Sequence, residues 1–90
     1  MLIKKKIWPE FFEAIKSGKK RFEIRLGDID VNEGDILELE EFNPETKNYT
    51  GRKIEKKVSY LLKTKDIDFW PKEDINKLGL VIMSLEDVYS

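Results

Sequence analysis

The sequence predicts a mainly β domain of the α+β class, in which about five strands close into a small β-barrel beside one early α-helix. Most apolar residues recur with the period of two that half-buried strands show, whereas one segment near the amino terminus has the period of a helix. A chain of 90 residues forms one domain with a single modest core, so we treat residues 1–90 as one domain. Closure is expected because it removes exposed strand edges.

The composition excludes several kinds of site. The chain contains no cysteine and no histidine, so it has no disulfide, no thiolate nucleophile and no imidazole to bind a metal or shuttle a proton. Any catalysis would use carboxylates, lysine, arginine, hydroxyls or the backbone. Residues 28–35 place oxygens as a calcium loop does, but the glycine comes one residue late and Leu39 stands where the bidentate glutamate belongs. We therefore expect a polar turn there, and neither a metal nor a cofactor.

The chain carries no sign of export or of membrane insertion. Three lysines follow Leu2 and Ile3, and no apolar signal segment comes after them. The longest apolar run, residues 80–83, is far shorter than the roughly 18 residues that a membrane span needs. We expect a cytoplasmic protein with no membrane partner.

The first strand is predicted at residues 2–7, and the helix begins at Trp8-Pro9. Proline suits the first helical position, and Gly18 is expected to end the helix in a left-handed conformation. The apolar residues of the helix recur at i, i+3, i+4 and i+7, which indicates one stripe packed in the core. These residues are Trp8, Phe11, Phe12 and Ile15.

The second strand follows at residues 22–26. Its alternation predicts that Phe22, Ile24 and Leu26 face the core. The residues between them then face the solvent, and this outer face consists of Arg21, Glu23 and Arg25.

Three further strands are predicted. Turn residues at 43–48 join a strand at 36–42 to a long returning strand, which ends at Leu62. Residues 64–78 are expected to be a loop or a short helical turn, and residues 79–85 are apolar on both faces, as in a central strand. The returning strand is expected to place its apolar residues on one face, namely Ile54, Val58, Tyr60 and Leu62.

Charge is segregated along the chain, although the formal net charge is −1. Residues 16–25 hold five bases and one acid, residues 52–65 hold six bases and one acid, and residues 28–45 hold eight acids and no base. This pattern indicates either ordinary solvated faces or a polarised surface with one basic side that a polyanion would bind.

One motif stands out at the junction of the helix and the second strand. Gly18, Lys20, Glu23 and Arg25 follow the spacing G-x-K-x-x-E-x-R. This motif resembles the signature of the ASCH domain family, a branch of the PUA-like superfamily, and the order of the other elements is similar to a small group of ASCH-like proteins over most of the chain. The resemblance implies a PUA-like barrel that binds RNA or a nucleotide.

The motif residues suit the binding of an anion or a base. Lys20 is expected to pair with a phosphate as a point charge, and Arg25 to grip a phosphate or a base edge. Glu23 would accept from an exocyclic amine or hold Arg25 in place. Periodicity alone favours a plain amphipathic strand instead. With the resemblance added, the expected ligand-binding residues are Lys20, Glu23, Arg25, Arg21 and Trp8.

Two other classes of function remain open. Some ASCH relatives resemble amidohydrolases that act on acylated cytidine, with a threonine where this chain has Glu23. Here Lys20 would stabilise an oxyanion and Glu23 would act as a base toward water, provided that burial raised its pKa. The third class is a protein-interaction module. Tyr60 could offer a stacking surface, although core packing is favoured for it.

Overall fold

The structure is a computed structural model that describes residues 1–67, 69 and 79–89. These residues form five strands, one α-helix and a 3-10 turn at Thr64–Asp66, which confirms the mainly β class with an early helix. Apart from Ile67 and Phe69, the remainder of the segment predicted as loop or helical turn, including Trp70-Pro71, lies outside the described residues. In chain order the elements are β1 (Leu2–Ile7), α1 (Pro9–Lys16), β2 (Phe22–Leu26), β3 (Ile36–Asn43), β4 (Asn48–Lys63) and β5 (Leu80–Asp87).

The five strands form one sheet in the order β1-β3-β4-β5-β2. β1 runs parallel to β3, and the other neighbouring strands are antiparallel. The sheet curls into a half-barrel that stays open, because β1 and β2 are its two edges and do not pair along the strands that the structure describes. The predicted closure is therefore not found. At one point a side chain spans the opening instead, since Arg25 Nη2 donates to the carbonyl of Lys6 at 2.5 Å.

The hydrophobic core lies on the inner face of the curled sheet. α1 contributes Phe12 and Ile15, and the turn before β3 contributes Ile29 and Val31, so this turn is a partly buried plug and not a wholly polar loop. Asp35 fixes the turn by accepting a hydrogen bond from the backbone N–H of Asn32 at 2.8 Å. The strands supply the other buried apolar residues of the cluster, which are Ile7, Leu37, Leu39, Val58, Val81, Met83 and Leu85.

β2 faces the opposite way from the prediction. Glu23 is only 5 % exposed, and its cross-strand partner is the fully buried Met83, so the glutamate lies on the core side. The three apolar residues lie on the outer face and are about half exposed, namely Phe22, Ile24 and Leu26. The predicted outer face of charged residues is wrong, and burial of Glu23 is tolerated because two cations neutralise its carboxylate.

Three other residues predicted in the core are exposed. The register between β4 and β5 shifts between Val58 and Tyr60, so Val58 is buried while Tyr60 is 58 % exposed. In the helix, Phe12 and Ile15 are buried, but Trp8 and Phe11 are exposed. Trp8 is the extended residue that precedes the helix, so its side chain does not follow the helical stripe.

Charges that are segregated along the chain alternate across the sheet. The acidic strand β3 lies between the lysine-bearing strands β1 and β4. The buried Glu38 is thereby placed 3.9 Å from Lys4 Nζ and 3.6 Å from Lys53 Nζ. Among the described residues, no helix is long and apolar enough to span a membrane.

Candidate ligand-binding site

A cleft of about 730 Å³ lies where the half-barrel is open, between the end of β1, the start of α1 and the edge strand β2. Aromatic and aliphatic side chains cover most of its wall, and charged groups lie among them. The aromatic residues are Trp8, Phe11, Phe22 and Phe42, and the charged residues are Lys6, Lys20, Glu23 and Arg25.

Lys20, Glu23 and Arg25 form one ion-paired group in the cleft, which we call the charged triad. Lys20 Nζ lies 2.6 Å from Glu23 Oε1, and Arg25 Nε lies 3.0 Å from Glu23 Oε2. Lys20 Nζ also donates to the carbonyl of Phe22 at 2.8 Å. The side chains of Lys20 and Arg25 are 16 % and 24 % exposed, so both cations are held by the protein while still reaching the cleft.

The local chain path explains why the charged triad assembles. α1 ends at Lys16, and Gly18 has a φ of 84°, the left-handed conformation that reverses the chain as predicted. The backbone N–H of Lys20 then donates to the carbonyl of Ala14 at 2.9 Å, which fixes Lys20 against the helix end. β2 begins two residues later, so Glu23 and Arg25 share the inner side of the edge strand next to Lys20.

The aromatic wall presents exposed ring faces. Trp8 and Phe11 are 51 % and 43 % exposed, with ring centroids 6.4 Å apart and planes inclined by 23°. Lys20 Nζ lies 4.8 Å from the Phe22 ring centroid and 6.0 Å from that of Phe11. A flat ligand group could therefore stack on an exposed ring within reach of a cation.

The structure brings together four of the five sequence-predicted binding residues. Trp8 lines the same cleft as the charged triad, but Arg21 does not. Its Nε donates to the carbonyl of Gly18 at 3.2 Å, and it lines a smaller cavity of about 370 Å³ on the other side of Lys20. Tyr60 also lies away from the cleft, on the outer face of β4 beside Ser84.

Sequence reasoning missed the other lining residues. Phe11 fits the helical stripe that predicts a core residue, but the eight-residue helix buries only Phe12 and Ile15. Alternation likewise predicts Phe22 in the core, because it places the apolar residues of β2 on the inner face. Lys6 and Phe42 come from strands far apart in sequence, and the 4.5 Å separation of Lys6 Nζ from the Phe42 ring centroid depends on the fold. Only the position of Phe22 inside the motif could have indicated its role.

The contacts of the charged triad favour ligand binding over proton transfer. Both carboxylate oxygens of Glu23 already accept from cations, which favours a role in holding Lys20 and Arg25 over a role in taking a proton from water. Two cations and one carboxylate leave a local charge of +1. The arrangement suits a ligand with an aromatic plane and a small negative charge.

Fold and site together define a small, mainly β domain with an open curled sheet and a ligand-type cleft at the opening. The chain belongs to the family described as "Domain of unknown function (DUF3850)", which matches residues 3–84. Among solved structures, the "Crystal structure of hypothetical protein PH0355" is similar, with a TM-score of 0.67 and 21 % identity over 98 % of this chain and 100 % of that one. This likeness concerns the fold alone. No curated protein matches the chain.

Proposed function

We propose that the protein binds RNA or a nucleotide in the cleft. The observation that carries the proposal is the exposed, nearly parallel pair of Trp8 and Phe11 next to the charged triad. Any of the nucleobases can stack on an aromatic ring, and a phosphate pairs with lysine or arginine. The resemblance of the G-x-K-x-x-E-x-R motif to the ASCH signature supports the same class of ligand.

The charge at the cleft sets the expected strength of binding. Among the residues that the structure describes, the cations that line it are Lys6, Lys20 and Arg25, and Glu23 neutralises one of them. So few positive charges can meet only one or two phosphates. We expect modest affinity and a shallow dependence on salt, because each neutralised phosphate adds about 0.7 to the slope for a single strand.

Calorimetric titration of short single-stranded RNA and of nucleoside monophosphates tests the proposal. We expect saturable binding by the wild type. Trp8→Ala should weaken binding about tenfold, since stacking on one aromatic ring contributes about 1–3 kcal/mol. Lys20→Ala should also weaken it about tenfold, because a charged hydrogen bond to the phosphate is lost. The matched controls are Lys63→Ala and Tyr60→Ala, which remove an exposed lysine and an exposed aromatic ring outside the cleft.

Each outcome bears on the proposal. Loss of binding in the two cleft variants but not in the two controls supports it, provided that circular dichroism shows all four variants folded. An absence of saturable binding by the wild type to every ligand contradicts it. Equal binding by wild type and Lys20→Ala also contradicts it, because the ligand would then lie elsewhere.

A further inference from the structure

The direction of the peptide groups of β2 follows from two hydrogen bonds at its ends. The N–H of Leu85 donates to the carbonyl of Arg21 at 3.0 Å, and the N–H of Gly27 donates to the carbonyl of Gly79 at 3.0 Å. In an antiparallel pair, hydrogen-bonded residues alternate with residues that point away. The odd-numbered residues of β2 therefore bond to β5, and the peptide groups of Phe22, Ile24 and Leu26 point into the opening.

Two of the three outward-pointing carbonyls already have partners. The carbonyl of Phe22 accepts from Lys20 Nζ at 2.8 Å, and that of Leu26 accepts from the backbone N–H of Ile29 at 3.3 Å. Within the described part of the chain, no such partner is found for the N–H or the carbonyl of Ile24. Ile24 also lines the cleft, so its peptide groups form one donor and one acceptor next to the aromatic wall.

The free edge of β2 at Ile24 is only one residue long among the residues that the structure describes. Lys20 lies at one side of it, and on the other side the Arg25 side chain crosses the opening to the carbonyl of Lys6. An extended peptide added along β2 would need several consecutive free peptide groups and would collide with Arg25. A single flat group with an adjacent donor and acceptor needs only one residue of edge.

We propose that the peptide N–H and carbonyl of Ile24 hydrogen-bond to the Watson–Crick edge of a nucleobase whose plane stacks in the cleft. This inference rests on the proposed function and adds to it the part of the ligand that is recognised. The N–H of Ile24 donates to a ring nitrogen or carbonyl oxygen of the base. The carbonyl of Ile24 accepts from the neighbouring imino or amino hydrogen.

Methylated nucleotides distinguish recognition of the base edge by hydrogen bonds from simple stacking of the base plane. The probes are uridine monophosphate against its N3-methyl form, and guanosine monophosphate against its N1-methyl form. In each pair the methyl group replaces the imino hydrogen and leaves the ring plane and the phosphate in place. We expect the methylated member of the pair that binds to be weaker by at least about tenfold, because the hydrogen bond to the Ile24 carbonyl is lost and the methyl group keeps the base edge away from the strand.

The variant Ile24→Pro tests the backbone donor itself. Proline removes the N–H of residue 24, which is tolerated on an edge strand when that N–H is outside the ladder. We expect Ile24→Pro to bind the unmethylated nucleotide about tenfold more weakly than Ile24→Val does, because the hydrogen bond from the N–H to the base is lost while the carbonyl of residue 24 remains. The control Ile24→Val keeps the N–H and is expected to discriminate as the wild type does.

The outcomes of the two proposals differ. If the wild type binds none of these nucleotides and none of the RNAs and monophosphates of the first titration, the proposed function fails and the inference fails with it. If it binds one of those ligands but no member of either pair, the proposed function stands and recognition of an imino-bearing base edge by Ile24 is overturned. If the wild type binds methylated and unmethylated nucleotides equally, the proposed function stands and recognition by Ile24 is overturned. Equal affinity of folded Ile24→Pro and Ile24→Val for the unmethylated nucleotide also overturns it. Should Ile24→Pro not fold, the wild-type comparison of methylated and unmethylated nucleotides decides the question alone.

Discussion

Two buried glutamates of this protein have similar first contacts but different surroundings. Glu23 in β2 and Glu41 in β3 are 5 % and 4 % exposed, and each carboxylate pairs with an arginine. Arg52, the partner of Glu41, also bonds to Glu13 of α1 at 2.5 Å, and its guanidinium carbon lies 4.6 Å from the Phe12 ring centroid. Arg52 is therefore held between β3, the helix and an aromatic ring of the core.

The contrast shows what makes a buried ion pair a candidate site. Arg52 connects the helix to the β3-β4 hairpin and does not line the aromatic cleft. Glu23 instead holds Lys20 and Arg25 at the edge of an open sheet, where exposed rings adjoin them. A buried carboxylate with an arginine therefore indicates stability in one place and ligand binding in another, and the adjacent surface decides which.

Of the two arginines that pair with a buried glutamate, Arg52 is expected to contribute more to stability. Arg52→Ala leaves the carboxylate of Glu41 without its cation. Because Arg52 is 43 % exposed, water reaches the vacated side of the carboxylate, and we expect a cost of about 2 kcal/mol. Chemical denaturation at neutral pH measures the loss. The double variant Arg52→Ala with Glu41→Gln should recover part of it, because the stranded charge is then gone. A cost for the single variant below about 1 kcal/mol would contradict the function of Arg52 as a structural clamp.

Strong acid should remove the stabilisation that the Glu41 contact supplies. The hydrogen bond from Arg52, helped by that from Thr50, lowers the pKa of Glu41 from 4.5 to about 2. The unfolded state then binds the proton more readily, so the stabilisation is complete above pH 4.5 and is lost as pH falls toward 2. Denaturation between pH 7 and pH 2.5 should show a smaller acid loss for Glu41→Gln than for wild type. Parallel curves would contradict this assignment.

The glutamate of the cleft should matter less for stability and more for binding. Glu23→Gln leaves Lys20 and Arg25 partly in contact with solvent, so we expect a cost of only about 1.5 kcal/mol. The net charge of the charged triad rises from +1 to +2. The slope of the logarithm of the RNA-binding constant against the logarithm of the salt concentration should therefore steepen by about 0.7. Titrations at several salt concentrations measure this slope. Glu41→Gln is the matched control and should leave the slope unchanged.

Local patterns were sufficient to predict most elements of the fold. The range 2–7 agrees with β1, Gly18 ends the helix as expected, and a hairpin turn joins β3 to β4. Closure could not be predicted in this way, since it depends on whether β1 meets β2 across the whole sheet. The motif brought Lys20 and Glu23 together correctly, but the aromatic wall required the tertiary fold.

The orientation of β2 shows a second limit. Alternation separates the two faces of a strand, but it does not say which face meets the core when both have a physical justification. Apolar Phe22 and Ile24 suggested one answer, whereas the ion-paired Glu23 allows the other. In an edge strand, a neutralised carboxylate can therefore lie on the core side while the apolar residues lie on the outer face.

The smallest expected effect tests this reversed orientation directly. Leu26 is 50 % exposed on the outer face, so Leu26→Ala should cost less than about 1 kcal/mol. Leu39 is fully buried, and the matched Leu39→Ala should cost about 2–5 kcal/mol by leaving a cavity. Denaturation of both variants under one condition gives the comparison. Equal costs would mean that Leu26 packs in the core after all, and that Glu23 and the charged triad do not face the cleft.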